Sequence, residues 1–193
     1  MKYYSLHHKS PISTFKNAVV QGLAKDRGIY FPDNITKLSN QFIENISDYT
    51  NHEIAYEVIK QFVGDEIPAE KLKEIIAKTV SFDFPLVKVD DNIASLELFH
   101  GPTMAFKDVG AKFMAQCLEY FNKDSDDEVT VLVATSGDTG GAVANGFLGA
   151  KGVNVVILYP SGKVSDIQEK QITTFGQNIT ALEVGGVFDD SQE

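Results

Sequence analysis

From Val129 onward the chain alternates three nearly unbroken apolar segments with two short helical ones between them, and that rhythm leaves few folds open. Val129-Thr-Val-Leu-Val-Ala134 is almost entirely apolar and β-branched, as a strand buried on both faces should be. Val153 to Tyr159 has the same character, and Ile179 to Val184 supplies a third strand. Between the first two, Ala142 to Ala150 is helix-compatible, and Gly152 can end that helix in the left-handed conformation. Ser165-Asp-Ile-Gln168 reads as a capping box that opens a second helix, running to about Phe175 with Gly176 as its stop. Strands joined by crossover helices are parallel and wound right-handed, so the expected class is α/β, with a three-layer parallel sheet built from β-α-β units. Asp189-Asp190-Ser191 resembles the start of a further helix, and a three-stranded parallel sheet leaves open edges. The expectation is the front part of a longer protein.

Residues 1–80 read as a mostly helical domain. Thr50-Asn-His-Glu53 is a capping box, and Ile54, Ala55, Val58, Ile59 and Phe62 follow it on one stripe, which predicts a helix from about Asn51 to Val63 stopped by Gly64 and Asp65. Pro68 opens another helix, in which Leu72, Ile75, Ile76 and Thr79 share a face. After Pro85, Leu86 to Val89 and Ile93 to Phe99 read as strands joined through the tight turn Asp90-Asp91-Asn92. A helix starting near Lys107 would bury Gly110, Phe113, Met114, Cys117, Leu118 and Phe121. On this reading 81–128 begins a second domain, and 129–193 is a β-α-β-α-β domain that stops before its completion.

Composition narrows the function. The 193 residues carry 17 cationic against 27 acidic side chains, a net charge of −10, and Arg27 is the only arginine, which argues against a nucleic-acid partner. The single cysteine, Cys117, excludes an intrachain disulfide and a Cys-x-x-Cys zinc site, and points to a reducing compartment, the cytoplasm. The longest apolar run, Val155 to Tyr159, is far short of the ~20 residues that span a bilayer. The first ten residues have neither the apolar run of a signal peptide nor the arginine of a transit peptide. Without a secretion signal, the sequons at Asn34, Asn45 and Asn178 read as coincidence.

Two stretches carry chemistry. Thr135-Ser-Gly-Asp-Thr-Gly-Gly141 joins a buried strand to a helix, the place where α/β sheets bind ligands. Free amides at the helix start, helped by the helix dipole and by three hydroxyls, make a cradle for a carboxylate or phosphate. The spacing of a dinucleotide loop is absent, as is the phosphate-loop Gly-Lys-Ser/Thr, and Ala134 and Asp138 stand where a serine-hydrolase elbow needs glycines. The second stretch, Leu98 to Asp108, places Lys107 at a helix start among Met104, Ala105 and Phe106. A cation is out of place at that end of a helix, and apolar crowding works in the same direction, toward the neutral amine that attacks a carbonyl.

Phe99-His-Gly-Pro-Thr-Met-Ala-Phe-Lys-Asp-Val-Gly110 followed by Ala134-Thr-Ser-Gly-Asp-Thr-Gly-Gly-Ala142 resembles the threonine synthase family, pyridoxal-phosphate enzymes of the tryptophan-synthase-β superfamily. Gly22 to Pro32 and Tyr159 to Ser165 are similar to the family as well, so the likeness spans nearly the whole chain. The resemblance implies that Lys107 is the lysine joined to pyridoxal 5'-phosphate, with Phe106 and Asp108 flanking the cofactor. It further implies that Ser136, Gly137, Asp138, Thr139 and Gly140, served by Thr135, receive the substrate carboxylate beside the cofactor's phenolic oxygen. Related enzymes often have Asn where Asp138 stands, which leaves its role open. The implied reaction converts O-phospho-L-homoserine and water to L-threonine and phosphate, with Lys107 as the base at the α-carbon. The family's cofactor-phosphate loop and pyridine-nitrogen partner belong to its second half.

Weaker signals have plainer readings. His7-His8 lacks a third metal ligand at sensible spacing and reads as surface. His100 suits a pocket role and a structural hydrogen bond equally. Ser13-Thr-Phe-Lys16 matches a β-lactamase pattern without its companions, and Cys117 reads as a buried inert thiol. Besides threonine synthase, the sequence admits a related phospholyase or dehydratase of another amino acid, and a non-catalytic binding module.

Overall fold

The structure, a computed structural model, describes residues 1–192 and divides into two compact units, Met1–Val80 and the chain from Ser81 onward. In the first unit β1 (Tyr3–Ser5) pairs antiparallel with β2 (Tyr30–Pro32), Tyr3 opposite Pro32 and Ser5 opposite Tyr30. The sequence reading passes over this pair, because strands of three residues are too short to show an alternation. Helix α1 (Phe15–Gln21) lies between β1 and β2, and α2 (Asn40–Glu44), α3 (Asn51–Val63) and α4 (Ala69–Thr79) follow β2. The capping box that opens α3 is complete: the Thr50 hydroxyl accepts from the Glu53 amide at 3.3 Å, and the Glu53 carboxylate accepts from the Thr50 amide at 2.8 Å. Pro68 stands just ahead of α4, where its missing N–H costs nothing, and α4 buries the face foreseen for it, Leu72, Ile75, Ile76 and Thr79. The buried Thr79 hydroxyl donates back to the Ile75 carbonyl at 2.8 Å, so no polar group is stranded on that face.

The loop between α1 and β2 is tied by Asp26. Its carboxylate accepts from the Ser5 hydroxyl at 2.6 Å and from the Lys9 and Gly28 amides at 2.9 and 3.0 Å. These bonds, the Ser5 hydroxyl first, hold the carboxyl well below the usual carboxylate range. A group whose folded-state pKa is depressed contributes stability above its unfolded pKa of about 4, and that contribution is lost as the pH falls through the acidic range. Asp26→Asn is therefore expected to melt lower at neutral pH and to lose less further stability on acidification. Thermal melts of both proteins over acidic and neutral pH check this, and parallel acid limbs would remove Asp26 as a source.

In the second unit β3 (Leu86–Asp90) and β4 (Ile93–Leu96) form an antiparallel hairpin with an irregularity between Lys88 and Asp90, and every residue of both strands is exposed. Then come α5 (Lys107–Asn122), β5 (Val129–Ala134), α6 (Asp138–Phe147), β6 (Val153–Pro160), α7 (Asp166–Thr173) and β7 (Ile179–Val184). The strands form a parallel sheet in the order β5-β6-β7, with Val131 beside Val155 and Val155 beside Ile179. Helix α6 packs on β6 and against both α5 and α7, so 81–128 and 129 onward share one unit, and the three helices form a layer on one face of the sheet. Phe147, Leu118, Ile157 and Ile172 fill the space between.

The other face of the sheet is bare. Leu132 is 68% exposed and Leu182 48%, with Val156 and Leu158 half-buried between them. Strand β5, expected to be buried on both sides, is an edge strand with one open face, since strand order and layering are not encoded in its apolar run. Helix α6 starts at Asp138, four residues ahead of the predicted start, and takes in Gly140 and Gly141. A Cβ at Gly140 would stand 2.6 Å from Thr135 Cγ2 and 3.0 Å from Ile172 Cδ1, so this glycine is a packing device inside the helix. On α5 the buried residues are Asp108, Ala115, Cys117 and Leu118, while Gly110 is exposed. Cys117 and Leu118 of the predicted stripe are buried and Phe113, Met114 and Phe121 are half-buried; a Cβ at Gly146 of α6 would stand 3.1 Å from the backbone of Ala111 and Lys112, so the two helices pack closely there.

Candidate active site

The loop after β5 is organised by Thr135. Its amide donates to the Leu158 carbonyl at 2.9 Å, which carries the parallel ladder one step past the strand. Its hydroxyl, fully buried, accepts from the Gly137 amide at 3.0 Å and the Gly140 amide at 2.9 Å, and lies 3.2 Å from the Gly137 carbonyl. Gly137, at φ 149°, takes a turn that an L side chain rarely adopts. The Thr135 hydroxyl is thus engaged inside the loop and shapes the site from within.

The loop leaves a specific set of groups open. Among the described residues, the amides of Ser136, Asp138 and Thr139 have no protein acceptor, and the hydroxyls of Ser136 and Thr139 make no protein hydrogen bond. Ser136 and Asp138 are exposed and Thr139 is half-buried. Unpaired amides at the start of a helix, at the positive end of its dipole, are a site for an anionic group.

Beside them stands a residue that sequence reasoning read only as a cap. The Ser165 hydroxyl accepts from the Gln168 amide at 3.4 Å, but the Gln168 side chain does not return to the Ser165 backbone to complete the expected box. It reaches across to α6, where Nε2 donates to Asp138 Oδ1 at 2.5 Å. Nothing local in Ser165-Asp-Ile-Gln168 distinguishes the two outcomes.

Lys107 is the first residue of α5, half-buried, with Nζ 5.7 Å from the centroid of the Phe106 ring and no ion pair among the described residues. Phe106 and Met104 are exposed, and Met104 has a left-handed backbone at φ 58°. The turn that presents them is closed from beneath by Asp108, whose buried carboxylate accepts from the Thr103 amide at 3.0 Å and from the Thr103 hydroxyl. A side chain at Gly101 would collide with that carboxylate and with the Phe82 ring. Asp108 therefore supports the lysine turn from inside. His100, for which two roles were open, bonds Glu97 through Nε2 at 2.7 Å and stacks on Phe99.

Several sequence candidates are engaged elsewhere. His7 bonds the Asp26 carbonyl at 3.0 Å and His8 stacks on Tyr4. Burial pushes the Cys117 thiol up to about 12, which makes it inert at neutral pH. Asn178 donates to the Phe147 and Val153 carbonyls and accepts from the Gly149 amide, a structural use of its side chain. The two stretches of interest, around Lys107 and Thr135 to Gly140, stand at the starts of helices that pack on one another; no hydrogen bond joins Lys107 to the loop.

Comparison with known proteins bears on this arrangement. The family described as threonine synthase N terminus matches residues 2–80. The threonine synthase of Buchnera aphidicola subsp. Baizongia pistaciae is 44% identical over all of this chain, which covers 45% of that protein. The Escherichia coli threonine synthase is 43% identical, with 44% of it covered. Its crystal structure superposes on the whole chain with a TM-score of 0.92, and that of the PLP-bound threonine synthase of Brucella melitensis, 37% identical, with 0.89. The chain spans less than half the length of these relatives.

Proposed function

Because the chain belongs to the threonine synthase family and corresponds to its N-terminal part, we propose that it carries the cofactor lysine and the carboxylate cradle of an enzyme that converts O-phospho-L-homoserine and water to L-threonine and phosphate. The observation that carries this reading is the pairing of an amine without an ionic partner at the start of α5 with three amides without acceptors at the start of the neighbouring helix. These residues fit pyridoxal 5'-phosphate. Lys107 is half-buried, free of any carboxylate and beside an aromatic ring, as condensation with an aldehyde requires.

When bound, the cofactor supplies an electron sink for charge developing at the substrate's α-carbon. Lys107 Nζ would hold the cofactor through its aldehyde group and would serve as the base that takes the proton from the substrate's α-carbon and returns protons later in the reaction. The amides of Ser136, Asp138 and Thr139, with the Ser136 and Thr139 hydroxyls, hold the substrate carboxylate, while Gly137 leaves room for the Gln168 side chain and Gly140 packs close to Thr135 and Ile172. The Thr135 hydroxyl keeps those amides in place. No helix among the described residues is long and apolar enough to cross a membrane.

The reading is tested by treating the chain with pyridoxal phosphate, reducing with borohydride and mapping the adduct by peptide mass. The expected result is one adduct, on Lys107, absent from Lys107→Ala. Labelling of another lysine with equal yield in that variant would assign the cofactor elsewhere.

A further inference from the structure

Asp138 poses a problem for the site it belongs to. It is the first residue of α6, exposed, and immediately beside the amides of Ser136, Asp138 and Thr139 that have no protein acceptor. A carboxylate at a helix start is drawn to those amides and to the positive end of the dipole, so its own side chain is the nearest competitor of any incoming anion. Yet it makes no hydrogen bond to them, and its Oδ1 instead accepts from Gln168 Nε2 at 2.5 Å. The direction of that amide is forced. A carboxylate only accepts, so the NH₂ end must face Asp138, and the Oε1 end takes the Ser165 hydroxyl at 2.9 Å. The Gln168 amide group also lies 2.6–2.7 Å from where a Cβ on Gly137 would stand, so only glycine there gives it room.

We propose that Gln168 is a positioning residue that draws the Asp138 carboxylate away from the start of α6 and thereby keeps the amide cradle open for the substrate's carboxylate. The inference rests on the reading of that loop as a carboxylate site. Ser165 holds the acceptor end of the glutamine, Gly137 makes space for it, and the donor end captures the one side chain that could close the cradle from within.

The test follows the backbone amides of Ser136, Asp138 and Thr139 by NMR in the chain as it is, titrated with acetate as the carboxylate probe. Gln168→Met, of similar length but without the donor, is expected to weaken acetate binding at least tenfold, because Asp138 folds back onto the amides. In an Asp138→Ala background the same Gln168→Met change should shift the affinity less than twofold. That coupling separates the role from a structural one, since loss of the Ser165 contact or of packing on Gly137 would weaken binding in both backgrounds. Unchanged affinity in Gln168→Met, or an equal loss with and without Asp138, overturns the proposal. Should the unmodified chain give no acetate response, the carboxylate reading of the loop fails on its own account. Gln168 is then judged by hydrogen exchange at the Thr139 amide: slower exchange in Gln168→Met, as the returning carboxylate caps it, supports the role, and unchanged exchange overturns it.

Discussion

Thr135→Val is expected to lower the unfolding free energy of the chain by roughly 2–5 kcal/mol, because it removes one hydroxyl that serves two buried amides. Valine keeps the volume and the β-branch, so packing against Gly140 and Ile172 is nearly conserved. What changes is that the Gly137 and Gly140 amides, at 3.0 and 2.9 Å from the hydroxyl and both buried, are left without an acceptor. Each stranded donor costs about 1–3 kcal/mol, whereas the bond itself contributes only about 1 net, so the loss exceeds what two ordinary hydrogen bonds supply. Thr135→Ser is the control: it retains the oxygen and loses a methyl, a change of about 1 kcal/mol. Denaturant unfolding of the three proteins checks the order. If valine and serine cost the same, the hydroxyl is not what holds the loop. A loop that opens in Thr135→Val should also disorder the open amides of Ser136, Asp138 and Thr139, because the bonded amides of Gly137 and Gly140 hold the same turn.

The parts of this molecule that local chemistry decides were legible in the sequence. Helix α3 begins and ends where Thr50, Glu53 and Gly64 place it, since a capping box and a stop act within four residues. Strands β5 and β7 have the predicted bounds because an apolar β-branched run between turn residues has little other use. Lys107 at the start of a helix, and the loop at the end of a parallel strand, stand where the motifs put them. What stayed hidden depends on distant partners. Gly140 and Gly141 look like turn residues until Thr135, Ile172 and Gln171 press on them, at which point they belong inside α6. Gln168 looks like half of a cap until Asp138, thirty residues away, offers a stronger acceptor. Strand β1 pairs with β2 across a loop in which Asp26 ties Ser5 to Gly28, a tie no periodicity announces. The site is similar: its motif names the residues, while the division into amides tied by Thr135 and amides left open is a product of the fold.

The 193-residue chain by itself is expected to accept pyridoxal phosphate at Lys107 and yet release no measurable phosphate from phosphohomoserine. Its relatives are more than twice as long, and apolar surface of the second unit stands open. Leu86 and Val89 of the hairpin are 70% and 67% exposed, Phe106 beside the lysine is 61% exposed, and one face of the β5-β6-β7 sheet is open. Parallel sheets are stable when both faces are covered, and reacting groups are held in place by what covers them. Three strands spaced about 4.8 Å apart and about 20 Å long present a face of roughly 300 Å². That is well below the ~800 Å² per partner of a stable bimolecular interface, so a second copy covers it only weakly, whereas polypeptide tethered to the same chain needs far less area. Without such cover an aldehyde still condenses with the amine, but the bound group is free to turn, and orientation is worth about 7–11 kcal/mol of a reaction barrier, or five to eight orders of magnitude in rate. A phosphate-release assay on the purified chain, with the intact Escherichia coli threonine synthase as control, decides the question. Turnover within tenfold of the control would mean that Lys107, the loop from Thr135 to Gly140 and their immediate surroundings are a complete active site, and that the open face of the sheet contributes nothing to catalysis.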